Sequence, residues 1–214
     1  MSLARFIAST VVVAATAFST SALSATFDFT GENLSPTSSL SFFDDGIGLT
    51  VTAGTFSTAS NPSSVDLSQR RVDQDNNGLG ADAFFDGDNI DGFLGNDVLI
   101  FTFDQEVQLD VIRFGGVDGN DDFAFGPVDG LSFFRIVDFQ DVTDPLNAAT
   151  FLSGDQRVGT AFGIGAIGSN DNFTITGLSV SSVVAVPLPA SGLLLGVALL
   201  GFGLVRRRGQ VATA

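Results

Sequence analysis

The chain has 214 residues, with nine basic side chains, all arginine, against 24 acidic ones, and it lacks His, Cys, Trp and Tyr. So acidic a surface repels nucleic acid and anionic lipid, which excludes a DNA- or RNA-binding role. Without His or Cys, the Ser-His-Asp and Cys-His arrangements and the common zinc sites cannot be assembled.

The first element is a targeting segment. Arg5 precedes a mostly apolar run over residues 6–17, too short to span a bilayer, and small residues follow at Thr20, Ser21, Ala22, Ser24 and Ala25. That order of charge, apolar run and small residues reads as a secretory signal peptide over residues 1–25. Cleavage after Ala22, Ser24 or Ala25 is compatible with the sequence, and the last option places Leu23 at the less usual −3 position.

Residues 26–182 then make one domain of a size that can bury a real core. It holds every acidic residue and only Arg70, Arg71, Arg113, Arg135 and Arg157, a formal charge of −19. Having no cysteine, an exported domain must be stabilised by its core or by bound metal. The chain has 22 Phe, a residue with no polar handle, which disfavours a sugar-stacking site of the Trp/Tyr kind.

Along this domain β-prone runs alternate with Gly, Asn, Asp, Ser and Pro clusters. Leu49, Val51 and Ala53 alternate with period two, as do Leu99, Phe101 and Phe103. Val98 and Ile100 make the second run apolar on both faces, so both faces should be covered. Val107, Leu109 and Val111 alternate, then the phase switches at Ile112 and Phe114. Residues 131–137, 160–164 and 172–180 complete the clear strands. In the last, Phe173 and Ile175 hold one phase and Leu178 and Val180 the other, with Gly177 between them predicting a bulge. Residues 57–95 read as long loops with one or two short strands, one of them around 81–85. The pattern predicts an all-β single domain, a β-sandwich of jelly-roll type.

Residues 183–205 carry no charge and run into Arg206, Arg207 and Arg208. That length crosses a bilayer, with a transmembrane helix over 191–205, and the arginines keep their end cytoplasmic. The domain is thereby placed outside the inner membrane. Gly192, Gly196, Gly201 and Gly203 give the helix a small face suited to close helix contact. The plainer reading is a single-pass anchor that stays intact.

The motif Val186-Pro187-Leu188-Pro189-Ala190, followed by a Gly/Leu-rich span and the arginine cluster, resembles the VPLPA-CTERM variant of the PEP-CTERM sorting signal. The resemblance implies handling by an exosortase-type membrane enzyme in a Gram-negative bacterium, often linked to exopolysaccharide or biofilm. Val186, Pro187, Leu188, Pro189 and Ala190 would then be the recognition motif, and Arg206, Arg207 and Arg208 the stop-transfer cluster. The sequence over 78–107, with Asn120-Asp-Asp122-Phe123 and Asn170-Asp-Asn-Phe173, resembles the extracellular domain of many such proteins. That likeness implies a fold and no activity.

Two constellations point to calcium. Asp73-Gln-Asp75-Asn-Asn77-Gly78 matches the opening half of a calcium loop, although the twelfth position is Phe84 where a bidentate Glu belongs. Asp82, Asp86 or Asp88 would have to supply the missing oxygen. Asp118, Asp121 and Asp122 form the second cluster. Asn-Asp recurs at 96–97, 120–121 and 170–171, each before an apolar run, and turn chemistry alone explains that use. Residues 92–100 resemble a single nonapeptide calcium repeat, but such repeats act only in tandem. A two-carboxylate glycosidase would need a selected pair, and nothing selects one. The expected protein is a non-catalytic cell-surface or matrix module. A calcium-dependent carbohydrate-binding module and a small glycan-active enzyme are the rivals.

Overall fold

The computed structural model describes residues 23–83, 87–141, 148–150 and 157–183, without side chains over 137–141 and 148–150. The signal-peptide reading up to Ala22, the sorting motif, the transmembrane helix and the arginine cluster lie outside the described residues. Residues 22–183 form one compact unit.

All its regular elements are strands. They are β1 (Ser24–Asp28), β2 (Leu34–Thr37), β3 (Leu40–Asp44), β4 (Ile47–Phe56), β5 (Ser63–Asp66), β6 (Arg71–Asp75), β7 (Gly78–Asp82) and β8 (Ile90–Asp91). After them come β9 (Asn96–Gly115), β10 (Asp122–Asp129), β11 (Ser132–Phe133), β12 (Val137–Asp141), β13 (Ala148–Thr150), β14 (Val158–Gly165) and β15 (Asn172–Ser182). The described residues contain no helix, and the fold is all-β.

The twenty-residue strand β9 organises the rest. Its first half, 96–103, pairs with β4 on one edge and β14 on the other. Its second half pairs with β15 and β13. From β9 the order β14, β10, β11, β5, β4 returns to β9, so this part of the sheet closes into a barrel.

The doubly apolar run of β9 divides two cores. Leu99, Phe101 and Phe103 enter the larger cluster with Phe27, Phe29, Phe125, Phe162 and Ile175. Val98 and Ile100 enter a smaller cluster with Phe56, Val65, Ala124 and Phe133. Glycines of β14 make room for that smaller core. A Cβ on Gly163 would lie 2.8 Å from the Phe133 ring, and one on Gly165 2.8 Å from Phe56. The Phe56 and Phe133 rings meet edge-on at 5.2 Å.

The phase switches have a common cause. The β9–β15 ladder slips between Ser179 and Val180, leaving Asp110 as the extra residue, and between Ile175 and Gly177, leaving Thr176. One extra residue on each strand turns its following side chains to the opposite face. Leu109 and Ile112 are therefore both buried, as are Ile175 and Leu178.

Two strand expectations need correction. The described residues of 57–95 hold four strands, β5 to β8, rather than one or two. Residues 131–137 do not form one strand, because Phe134 to Ile136 separate β11 from β12. There the backbone bonds to β10 through Phe134 N–H to Pro127 O and Ile136 N–H to Phe125 O.

Candidate functional site

The first calcium candidate is a tight hairpin. Asp73 and Asp75 lie on β6, Asn76 and Asn77 form the two-residue turn, and Gly78 opens β7 at φ +122°. One Asp75 carboxylate oxygen accepts the Asn77 backbone N–H at 2.6 Å, and the other accepts its side-chain amide at 2.9 Å. Asp73 is buried opposite Gly80. Burial raises its pKa, reinforced by the charges of Asp88, Asp75 and Asp82. Asp73 and Asp75 thus share one strand face, but both oxygens of Asp75 are engaged within its own turn.

The second candidate, Asp118, Asp121 and Asp122, belongs to a pair of turns that hold each other. Asp121 accepts the Asp118 N–H of its own turn at 2.5 Å and the Asn172 N–H of the other turn at 2.8 Å. Asp171 accepts Ile167 and Gly168 N–H at 3.1 and 2.6 Å, and Asp122 N–H of the first turn at 3.2 Å. Asn120 and Asn170 exchange side-chain amide bonds to each other's carbonyls at 3.1 and 3.0 Å. Both carboxylates are buried, at 1 % and 2 % exposure. Burial raises the Asp121 pKa against the pull of its two backbone donors. Asp118 accepts the Asn120 N–H at 3.0 Å. Among the described residues no group of three or more acidic side chains is arranged to hold a metal ion.

The Asn96-Asp97 pair, read from the sequence as turn chemistry alone, opens β9 and carries a buried carboxylate. Asp97 is fully buried and receives the Arg70 Nε–H at 2.5 Å, while its second oxygen accepts Asp91 N–H at 3.4 Å. Burial, with the Asp91 charge added, outweighs the Arg70 attraction and pushes Asp97 up to about 7. Next to it Asp91 accepts Phe93 N–H at 2.8 Å, and Leu94 takes φ +58°. These carboxylates are joined to backbone and to arginine inside the fold. A catalytic carboxyl must instead reach a substrate.

Open geometry occurs elsewhere, on the outer face of β3, β4 and the first half of β9. Ser41 pairs with Thr50, and Thr50 with Thr102, so three hydroxyls cross the sheet in one row. In the next row Phe43 stands opposite Gly48. The Asp104 carboxylate folds over that glycine, 2.7 Å from where a Cβ would sit. Ser41, Gly48, Thr50, Thr102 and Asp104 line a shallow depression of about 270 Å³. Among the described residues, none of its three hydroxyls nor the Asp104 carboxylate has a side-chain hydrogen-bond or ion-pair partner. The sequence carried a signal for this face. The residues between Leu49, Val51 and Ala53 are threonines, although the chain is otherwise rich in Asp on its polar faces.

Comparison with protein-family models, with curated proteins and with solved structures gives no match.

Proposed function

We propose that the chain is a non-catalytic module exported to the cell surface or extracellular matrix and sorted through its C-terminal signal. The observation that carries this reading is the three-part order of residues 186–208: Val-Pro-Leu-Pro-Ala, an uncharged span, then three arginines. An exosortase-type enzyme of the inner membrane is the proposed partner, with exopolysaccharide or biofilm as the setting. The ends of the described domain fit a module carried between two targeting segments. Leu23 N–H bonds Ser182 Oγ at 2.8 Å, and Ser182 N–H bonds Leu23 O at 2.8 Å, so β1 and β15 leave the fold side by side.

Three buried carboxylates are withdrawn from the choice of a catalytic pair. Asp97, Asp121 and Asp171 are buried in structural bonds, whereas a glycosidase needs two carboxyls facing an open cleft. The split pairing of β9 supports the finer reading as a sandwich related to the jelly roll. β4 and β3 leave one half of β9, and β15, β7 and β6 extend from the other, with the larger core between.

The test is intact-mass analysis of the protein recovered from its native host, for the parent and for Pro187→Ala/Pro189→Ala. Loss of the C-terminal span from the parent, and its retention in the variant, is the expected result. Identical size, location and release in both would reduce the tail to a plain anchor and overturn the sorting role.

A further inference from the structure

We propose that the outer face of β3, β4 and β9 is a binding platform for an uncharged oligosaccharide, with Asp104 and the Ser41–Thr50–Thr102 row as its polar contacts. The site belongs to the β-domain alone and does not depend on how the tail is processed.

Four observations converge on one place. The floor is low, because Gly48 has no side chain, the Asp104 carboxylate lies over it, and its neighbours in the row above are short hydroxyl residues. Neighbouring strands lie about 4.8 Å apart, so the three hydroxyls are spaced on the scale of one pyranose ring. Their bonding capacity is unused within the described fold, as is that of Asp104. Other Asp and Ser side chains are spent locally, such as Asp66 on Ser68 and Asp28 on Thr30. Finally, Phe43 is 75 % exposed, in a domain that buries most of its phenylalanines. It flanks Gly48 on the same face.

The chemistry selects the ligand. A domain with a formal charge of −19 repels anions. One carboxylate falls short of the several charged oxygens that a hard divalent cation takes. A wholly apolar ligand would strip water from Asp104 and three hydroxyls without replacing their bonds. A neutral sugar meets both demands. Its C–H face lies on the Phe43 ring, and its hydroxyls donate to the Asp104 carboxylate over Gly48 and exchange bonds with Ser41, Thr50 and Thr102. Phe43 lacks the polar handle of Trp or Tyr, and the neighbouring hydroxyl row supplies it. Few convergent polar groups on an otherwise smooth surface is the usual composition of a ligand site.

The experiment uses the full-length chain in detergent. It is titrated with a panel of neutral oligosaccharides (β-glucan, mannan and galactan fragments), an oligouronate and spermidine, each with and without EDTA. Binding of at least one neutral oligosaccharide, unchanged by EDTA, is expected. Phe43→Ala and Asp104→Asn should each weaken it about tenfold, the equivalent of 1.4 kcal/mol. Gly48→Val, which fills the floor, should abolish it, and unfolding temperatures close to the parent's should show that the variants fold. Where Gly48→Val does not fold, Thr50→Lys takes its place, since it covers the same floor from an exposed position. No neutral binding, preference for the oligouronate or spermidine, or binding indifferent to Phe43→Ala would each overturn the proposal. So would self-association lost with Phe43→Ala, which would make this edge strand a contact between copies.

Discussion

Replacing Asp171 by Asn tests whether the facing turns are a structural lock or a cation site. The substitution keeps size and one oxygen, but turns the second oxygen into an N–H₂ donor. One Asp171 oxygen accepts Ile167 N–H at 3.1 Å and Gly168 N–H at 2.6 Å, and the other accepts Asp122 N–H at 3.2 Å. Asparagine can keep its oxygen on Ile167 and Gly168 only by turning its N–H₂ group to the Asp122 N–H, so donor meets donor at one backbone group in a site that is 2 % exposed. A bond to a charged acceptor contributes about 1.5–3 kcal/mol, and one such bond is lost, so the expected loss is roughly 1.5–3 kcal/mol. For a chain of this size that lowers the unfolding temperature by about 3–12 °C. Asp121→Asn should also destabilise, since Asp121 bridges both turns through Asp118 and Asn172. The double variant should lose less than the sum, because the second change acts on turns already parted. The assay is thermal and denaturant unfolding of the full-length chain, with and without millimolar calcium. A loss below about 1 kcal/mol for Asp171→Asn would refute the lock. A calcium-dependent gain in the parent that vanishes in both variants would refute it in favour of a cation site.

Asp73, Asp97 and Asp121 all have pKa values raised chiefly by burial, so the folded chain binds their protons more tightly than the unfolded chain does. Their contribution to stability therefore grows as pH falls from about 7, the Asp97 value, towards the ordinary 3.8. Asp28 and Asp66, lowered by bonds from Thr30 and Ser68, act oppositely and lose their contribution below 3.8. An unfolding temperature that rises from pH 7 to about pH 5 is expected, and a steady fall over that range would contradict the burial argument. Gly163→Ala should cost about 1–3 kcal/mol by overpacking against Phe133, and adding Phe133→Leu should restore part of it in the same unfolding assay. Export processing after Ala22 should leave a mature chain starting at Leu23, read by N-terminal mass analysis. A start at Ala25, from cleavage after Ser24, would remove Leu23 and its two bonds to Ser182, and a start at Thr26 would also remove the fully buried Ala25.

Much of the sheet was legible because burial on one face imposes period two. β4 buries Ile47, Leu49, Val51 and Ala53 in alternation, and the phase switches in β9 and β15 mark real bulges. β6 and β7 were obscured because they bury residues that do not read as core. Gln74 is 3 % exposed and satisfied by donating its amide to Phe29 O at 2.9 Å, and Gly78 and Gly80 leave room for neighbouring backbone. A polar strand buried through side-chain bonding carries no hydrophobic period. The open face beside Gly48 was half legible. Its threonines alternate with core residues, but the strand pairing that lines up Ser41, Thr50 and Thr102 across 61 positions of sequence is a tertiary fact.

The Asn-Asp motif shows where local reading stops. Turn use was evident from Asn and Asp alone, yet its three copies also gather at one place in the fold. Asp97 O accepts Ala166 N–H at 3.0 Å, and a Cβ on Gly92 would sit 2.0 Å from Gly168 O. The start of β9, which holds Asp97, thus lies against the 167–172 turn, which is itself bonded to the 118–122 turn. Each copy contributes one buried carboxylate, Asp97, Asp121 or Asp171, that accepts bonds from residues outside its own turn. In a chain without cysteine, these carboxylate-to-backbone clusters join loops distant in sequence, as disulfides would. They also change the meaning of the formal charge. Asp73, Asp91, Asp97, Asp121 and Asp171 are buried, so a count taken from the sequence overstates how much acid the surface presents. The negative field that repels nucleic acid comes from the remaining carboxylates, and the buried ones set how the domain holds together.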